Sequence, residues 1–333
     1  MLTRIRRLAL DGLRLFQDER LELGPPPSGP DLHLVVGDSG TGKTTLCHGL
    51  RLALYGTTPW VSAANVSLPR HEAADGPVPA TVAAEVEAPN GHHRVERTLT
   101  EGTPDGSGDA SVGPPRVERW GDDGPWLDVE DAETAARGLA PPETEAILVN
   151  DPGLQRVAQP TGWAPIAQGL VSAAAAARGA PDGERATPSD CWAEFRTHLE
   201  RYVDVVGLAS RYEVSVDDEP FGVAVAPADG SPAGRASMAT GETIRFGLAM
   251  TLAAGDVAGV PQWFDAPLGR LDRTARTGAI AGLEAAAERR QVVVVPHQGS
   301  LAEHPDLRRA AATEHRLELV DTDRGTITRV DDR

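Results

Sequence analysis

Residues Gly37-Asp38-Ser39-Gly40-Thr41-Gly42-Lys43-Thr44 fit the spacing G-x-x-x-x-G-K-[ST]. An apolar strand pattern, Leu32 to Val36, precedes them, and a helical pattern, Thr44 to Tyr55 closed by Gly56, follows. Glycines at these positions let the backbone wrap tightly and turn its N–H groups inward. The helix N-terminus adds partial positive charge where phosphates would sit. Lys43 is expected to reach the β- and γ-phosphates, and the Thr44 hydroxyl to ligand Mg²⁺, with Thr45 completing the loop. A fortuitous glycine-rich turn is the alternative. Lys43 is also the only lysine in the chain. The Arg, Ala, Gly and Pro excess fits a GC-rich coding sequence, which would replace any lysine that arginine can substitute, so a lone survivor is a residue to examine.

A bound triphosphate needs an Asp at the end of an apolar strand to hold the Mg²⁺ shell. Gln262-Trp263-Phe264-Asp265 supplies one, far downstream of the loop. Before it, Thr240-Gly241-Glu242 opens a helix; after it come Gly269-Arg270-Leu271-Asp272 and a valine strand ending in Pro296-His297. Each has a plainer reading. Asp265 could be a loop carboxylate, Glu242 a favourable first-turn carboxylate, and His297 a strand-end histidine.

In that order these segments resemble the ATPase heads of the ABC superfamily, closest to the SMC-type group with its double-strand-break-repair and RecF-type heads. RIRRLALDGLRLF and LVVGDSGTGKTTLCHGLRLALYG look like the N-terminal lobe. SMATGETIRFGLAMTLA looks like the signature motif and its helix, and FDAPLGRLD like Walker B with the D-loop. LALYG with DAPLGRLD is most similar to the DndD-type ATPases of bacterial DNA sulfur modification (phosphorothioation). The likeness covers roughly the first 60 and the last 100 residues.

The resemblance implies an ATPase using ATP and Mg²⁺, dimerising head to tail around two nucleotides, in DNA modification, defence or repair. It implies that Arg14 contacts nucleotide, and that Asn150, Asp151 and Gln155, in ILVNDPGLQ, are candidates for the Q-loop sensing metal and γ-phosphate. It places Gly241 and Glu242 at the helix start facing a second subunit's γ-phosphate, Asp272 across the dimer interface, and His297 on the γ-phosphate. Three departures stand out. Ala239 replaces the usual signature serine, though Ser237 and Thr240 flank it. Ala266 replaces the glutamate that usually polarises the attacking water. No coiled coil separates the lobes. An ATP-gated regulatory or assembly subunit that hydrolyses weakly is therefore the second reading. A small-molecule P-loop kinase is a third, but no lid and acceptor site is visible near the loop.

The elements expected to position these residues form a P-loop α/β sandwich, with a mixed, mainly parallel core sheet and an antiparallel lobe. Residues 1–158 form the N-terminal lobe, 159–190 a short low-complexity insert, and 191–333 the C-terminal lobe of one composite head. Arg4 to Leu23 reads as one or two strands. Thr81 to Thr100 reads as a hairpin about Asn90-Gly91, with His92 and His93 in a solvated turn. Ala146 to Val149 reads as a strand, Pro165 to Arg178 and Cys191 to Leu208 as helices. Gln291 to Val295 reads as a buried parallel strand, and Arg316–Val320 with Thr326–Val330 as a closing hairpin. Cys47, Cys191, Trp192, Phe195 and Leu199 read as core.

Composition narrows the function classes. Two cysteines build no disulfide framework or zinc site. They suit a reducing, cytoplasmic compartment. No secretory signal is expected at the first residues, and no apolar run is long enough for a membrane span. A net charge of −17 argues against a nucleic-acid coat protein. Any DNA contact is expected to be local, weak or partner-assisted, with other subunits of a DNA-processing system involved.

Overall fold

The computed structural model describes residues 1–58, 79–100, 111–121, 124–150, 164–178, 186–217, 222–230, 238–296, 305–322 and 325–332. They form two compact units. One comprises Met1–Pro26, His33–Glu145 and Thr313–Arg333; the other comprises Pro27–Leu32 and Ala146–Ala312.

The first unit contains an antiparallel sheet. Its strands are β1 (Arg4–Asp11), β2 (Glu19–Glu22), β4 (Ala80–Ala88), β5 (Gly91–Thr100), β7 (Arg116–Trp120) and β8 (Trp126–Asp128), in the order β2-β1-β4-β5-β7-β8. The short β6 (Ser111–Val112) pairs with β5. One face is apolar, with Leu8, Leu10, Val82, Ala84, Val86, Val95 and Leu99 buried. The other carries a transverse row of charged residues, Glu22–Arg7–Glu85–Arg94–Glu118–Asp128, each directly across from the next and alternating in sign as far as Glu118. Arg7 pairs with Glu22 and, at 2.8 Å, with Glu85. Such exposed pairs add little stability each. Their value is in register, because a one-residue slip would send the row into the core. The β4–β5 turn centres on Pro89-Asn90, one residue earlier than Asn-Gly alone suggests, and Gly91 opens β5 at φ 118°. His93 is buried rather than solvated. It lies beside Asn90, with Nε2 3.1 Å from Oδ1.

In the same unit, β3 (Leu32–Gly37) pairs in parallel with β14 (Thr313–Thr322), which pairs antiparallel with β15 (Gly325–Asp332). Helix α1 (Lys43–Tyr55) follows β3 and ends at Gly56, whose αL backbone lets its N–H donate to Leu52 O at 3.0 Å. Helix α2 (Ala132–Leu139) is N-capped by Asp131, which accepts from the Thr134 amide at 3.1 Å.

His33 in β3 is buried and stacks on His315 of β14, with ring centroids 5.9 Å apart. Its Nδ1 lies 2.5 Å from Thr313 Oγ1, and its Nε2 faces the Arg4 guanidinium of β1 at 3.5 Å. Burial first, then the Arg4 charge, lowers the imidazole to about 4 from an ordinary 6.5. The unfolded chain therefore takes up this proton before the folded one does. Stability is complete above pH about 6.5 and falls as the pH drops toward 4, by about 3 kcal/mol at 1.36 kcal/mol per unit. Urea unfolding at pH 7 and pH 4.5 is expected to show the loss, and His33→Gln to flatten it; equal slopes for both proteins would refute the assignment.

The second unit has a parallel set, β13-β12-β9, formed by β9 (Val149–Asn150), β12 (Gln262–Asp265) and β13 (Val292–Val295). Trp263, Phe264 and all four valines of β13 are fully buried, as a continuous β-branched run requires. Ala146 to Leu148 is not strand. It belongs to one helical turn, α3 (Glu145–Leu148), and pairing begins only at Val149. Around this set lie α4 (Ala164–Ala177), α5 (Pro188–Val205), α6 (Thr240–Ala258), α7 (Arg273–Ala287) and α8 (Pro305–Ala310), with the hairpin β10 (Tyr212–Asp217) and β11 (Gly222–Pro227). Cys191, Trp192, Phe195 and Leu199 are core, as expected, and Cys47 is buried in the first unit.

Candidate functional site

The glycine-rich loop is built by contacts its own residues could not announce. Gly42 sits at φ 90°, and a Cβ there would lie 2.7 Å from the Phe16 ring. A Cβ at Gly37 would meet Thr41 Oγ1 at 2.6 Å and Leu317 O at 2.8 Å. Both positions therefore exclude side chains on steric grounds. Thr41 donates through Oγ1 to Asp38 O at 2.8 Å, and Thr328 of β15 donates to Thr41 O at 3.0 Å. Phe16 and Thr328 thus support the loop from remote parts of the chain, and no local spacing signals either.

Lys43 Nζ donates to Gly37 O and Asp38 O, both at 2.7 Å, so the ammonium sits in the mouth of its own loop. Asp38, Ser39, Gly40 and Thr44 are exposed, and Thr45 is buried on α1. A phosphate approaching the loop would meet the ammonium, the first α1 amides and the Thr44 hydroxyl, which is the donor set an anion needs. Arg14 lies in the turn Leu13–Phe16, closed by a Phe16 N–H to Leu13 O bond of 3.0 Å, with φ 54°. Partial burial lowers its guanidinium pKa. The structure thus brings Arg14, Phe16 and Gly37–Thr45 into one unit.

In the second unit, Asp265 closes β12 and is 7% exposed. Ala266 then takes φ 50° and donates its N–H to Val295 O at 2.7 Å. That left-handed backbone costs an alanine about 1 kcal/mol. The turn continues through Gly269 N–H to Ala266 O, 3.2 Å, to Asp272, which caps α7 by accepting from the Ala275 amide at 2.9 Å.

Glu242 faces inward, 6% exposed. It accepts from Tyr212 Oη at 2.7 Å and the Ala239 amide at 2.9 Å, and pairs with Arg211. Burial raises its pKa, but the Tyr212, Ala239 and Arg211 donors outweigh that and hold it below the ordinary value. Burial and the adjacent carboxylate raise the Tyr212 phenol. A Cβ at Gly241 would make only ordinary contacts, 3.7 Å to Ala275 Cβ and 3.8 Å to Leu271 Cδ2, so packing within this unit does not demand glycine. His297, Asp151, Gln155 and Ser237 lie outside the described residues. Asn150 is placed by its backbone on β9, opposite Phe264.

A glycine-rich strand–loop–helix in one unit and a parallel strand ending in a buried carboxylate in the other define a P-loop α/β protein. Residues 7–106 match the family model described as an AAA domain. Among solved structures, the chain is similar to the Smc head bound to the C-winged helix domain of ScpA: TM-score 0.67, 15% identity, covering 99% of this chain and 97% of that one. It is similar to the SMC head domain from Thermotoga maritima, with TM-score 0.57, 13% identity and 99% of each chain covered. It is also similar to the Smc head with an extended coiled coil bound to the C-terminal domain of ScpA derived from Pyrococcus furiosus. That match has TM-score 0.58 and 12% identity, over 99% of this chain and 96% of that one. No curated protein matches the sequence. The fold is that of an SMC-type P-loop head, the class expected from the order of the motifs.

Proposed function

We propose that this chain is an ATP-binding, ATP-hydrolysing head that closes head to tail with a second copy around ATP and Mg²⁺. The observation that carries the reading is the Lys43 ammonium held at the mouth of a loop whose Gly37 and Gly42 leave no room for side chains. The loop's donor set fits a triphosphate. Gly37–Thr45 would cradle it, and Arg14 would contact the nucleotide. Thr44 and Asp265, with Asp151, would hold Mg²⁺, which neutralises charge developing on the transferred phosphoryl group. Gln155 and His297 would sense the γ-phosphate, and Gly241 and Asp272 would meet the second copy. Glycine at Gly241, unexplained by its own unit, suits close approach by a ligand. The proposed setting is bacterial DNA modification, defence or repair, of the sulfur-modification type, on the strength of the LALYG and DAPLGRLD segments. Two of the similar heads are bound to ScpA domains, which supports a partner subunit for this chain as well.

Ala266 favours a second reading, an ATP-gated assembly subunit with little turnover. Sizing the protein with and without ATP and Mg²⁺, beside a phosphate-release assay, decides. The hydrolytic reading expects dimers and steady turnover. Asp265→Asn is expected to cut turnover at least about 100-fold while ATP affinity changes by less than about threefold. ATP-dependent dimers without turnover leave the switch. Neither dimers nor nucleotide binding would sink both.

A further inference from the structure

The first two turns of α6 grip the segment that joins α5 to β10. From the first turn, Glu242 collects the Arg211 guanidinium, the Tyr212 hydroxyl and its own helix's Ala239 amide. From the next turn, Arg245 donates to Val206 O at 2.7 Å and Gly207 O at 3.4 Å. The gripped segment is itself pinned: Arg211 and Tyr212 N–H donate to Leu208 O at 2.9 and 3.0 Å, and Ala228 N–H to Arg211 O at 3.0 Å.

The N-cap position explains why such a brace is needed. A serine or threonine there would hold the first turn with its hydroxyl. Ala239 has no such group, so the N-cap residue's side chain makes no bond to the first turn. The Glu242 and Thr243 amides turn back to Ala239 O, at 2.8 and 2.9 Å. The Thr240 and Gly241 amides precede any intrahelical acceptor. The orientation of those two amides therefore depends on where Glu242 is held, and Arg211 and Tyr212 hold it.

We propose that Arg211 and Tyr212 are positioning residues that act through Glu242 to aim the start of α6. The inference rests on the reading that this helix start meets a γ-phosphate held by a second copy. It gives Glu242 an inward role: the carboxylate shapes the turn and does not touch nucleotide. Arg211 is 67% exposed on its side chain, so the brace is accessible to substitution without opening the core.

The test is sedimentation velocity of the full chain with a non-hydrolysable ATP analogue and Mg²⁺, beside analogue binding to the monomer and amide exchange of the 238–246 peptide. Glu242→Gln and Arg211→Ala are expected to weaken dimerisation about tenfold or more, and Tyr212→Phe about threefold, as for loss of charge-assisted and neutral bonds. Monomer affinity is expected to stay within about twofold, because the loop's own donors are untouched. Exchange at 238–246 is expected to rise in the same order, and Arg211→Lys to recover most of the loss. A general folding defect would lower monomer binding as well and would not be rescued by lysine, so that pattern overturns the positioning role. Variants that dimerise like the wild type overturn it too. A wild-type chain that binds analogue yet stays monomeric overturns the dimer reading, and this inference with it.

Discussion

Lys43→Ala is expected to weaken ATP binding at least about 100-fold. The ammonium is placed to exchange its two loop carbonyls, each at 2.7 Å, for phosphate oxygens. A charge-assisted bond to phosphate contributes about 1.5–3 kcal/mol, so losing two weakens affinity at least about 100-fold. Lys43→Arg is expected to fail nearly as far, because a planar fork does not fit where a compact point charge sits. Neither change touches the core, so the midpoint of urea unfolding stays where it was. The lone lysine offers an independent readout. Acylation at low reagent excess, mapped by mass spectrometry, modifies Lys43 in the free protein, and ATP with Mg²⁺ protects it. Equal labelling with and without nucleotide, or a dissociation constant within about threefold of wild type for Lys43→Ala, would refute the site.

The parts legible in sequence were those whose signal is local. The loop, its strand and its helix declare themselves within about two dozen residues through glycine spacing, a valine-rich strand and a closing Gly56. The unbroken valines of β13 and the Pro89–Gly91 turn are equally self-contained. His93 shares the inward face of β5 with Val95 and Leu99, and it reads as turn only while the turn is centred on Asn90-Gly91 and not on Pro89-Asn90. What stayed hidden depends on contacts between distant segments. Ala146–Leu148 is apolar enough for strand or helix, and three residues are too few for a period to decide. Glu242 reads as a first-turn carboxylate because the Arg211 and Tyr212 that claim it lie a helix length earlier. Phe16 and Thr328 support the phosphate loop from opposite ends of the chain. The candidate loop was legible in its own residues, and the contacts that support it were not.

The same limit hid the polar centre of the second unit, where the largest stability effect is expected. Asp256, near the end of α6, has a fully buried side chain. It accepts from Tyr202 Oη at 3.1 Å, faces His198 Nδ1 at 3.2 Å and Arg289 Nε at 2.9 Å, and pairs with the buried Arg290. Arg290 donates onward to Leu252 O at 2.8 Å and to Gln262 Oε1 at 2.5 and 3.1 Å. Gln262, the first residue of β12, donates to Thr251 O at 2.8 Å. A Cβ at Gly255 would lie 2.4 Å from its Cδ, so α6 must offer glycine there. The network therefore ties α5, α6 and the strand that ends in Asp265. Burial lowers the Arg290 guanidinium to about 10, so it is charged at neutral pH and needs its carboxylate. Asp256→Ala leaves that charge buried without its counter-ion and is expected to cost about 3–5 kcal/mol. At about 2–4 °C per kcal/mol for a unit of this size, calorimetry should show its transition about 10 °C lower. Asp256→Leu combined with Arg290→Met removes both charges, and the pair should cost less than the sum of the singles, by about 2 kcal/mol or more. Additive costs would mean that the two residues contribute separately and that β12 is held by packing alone.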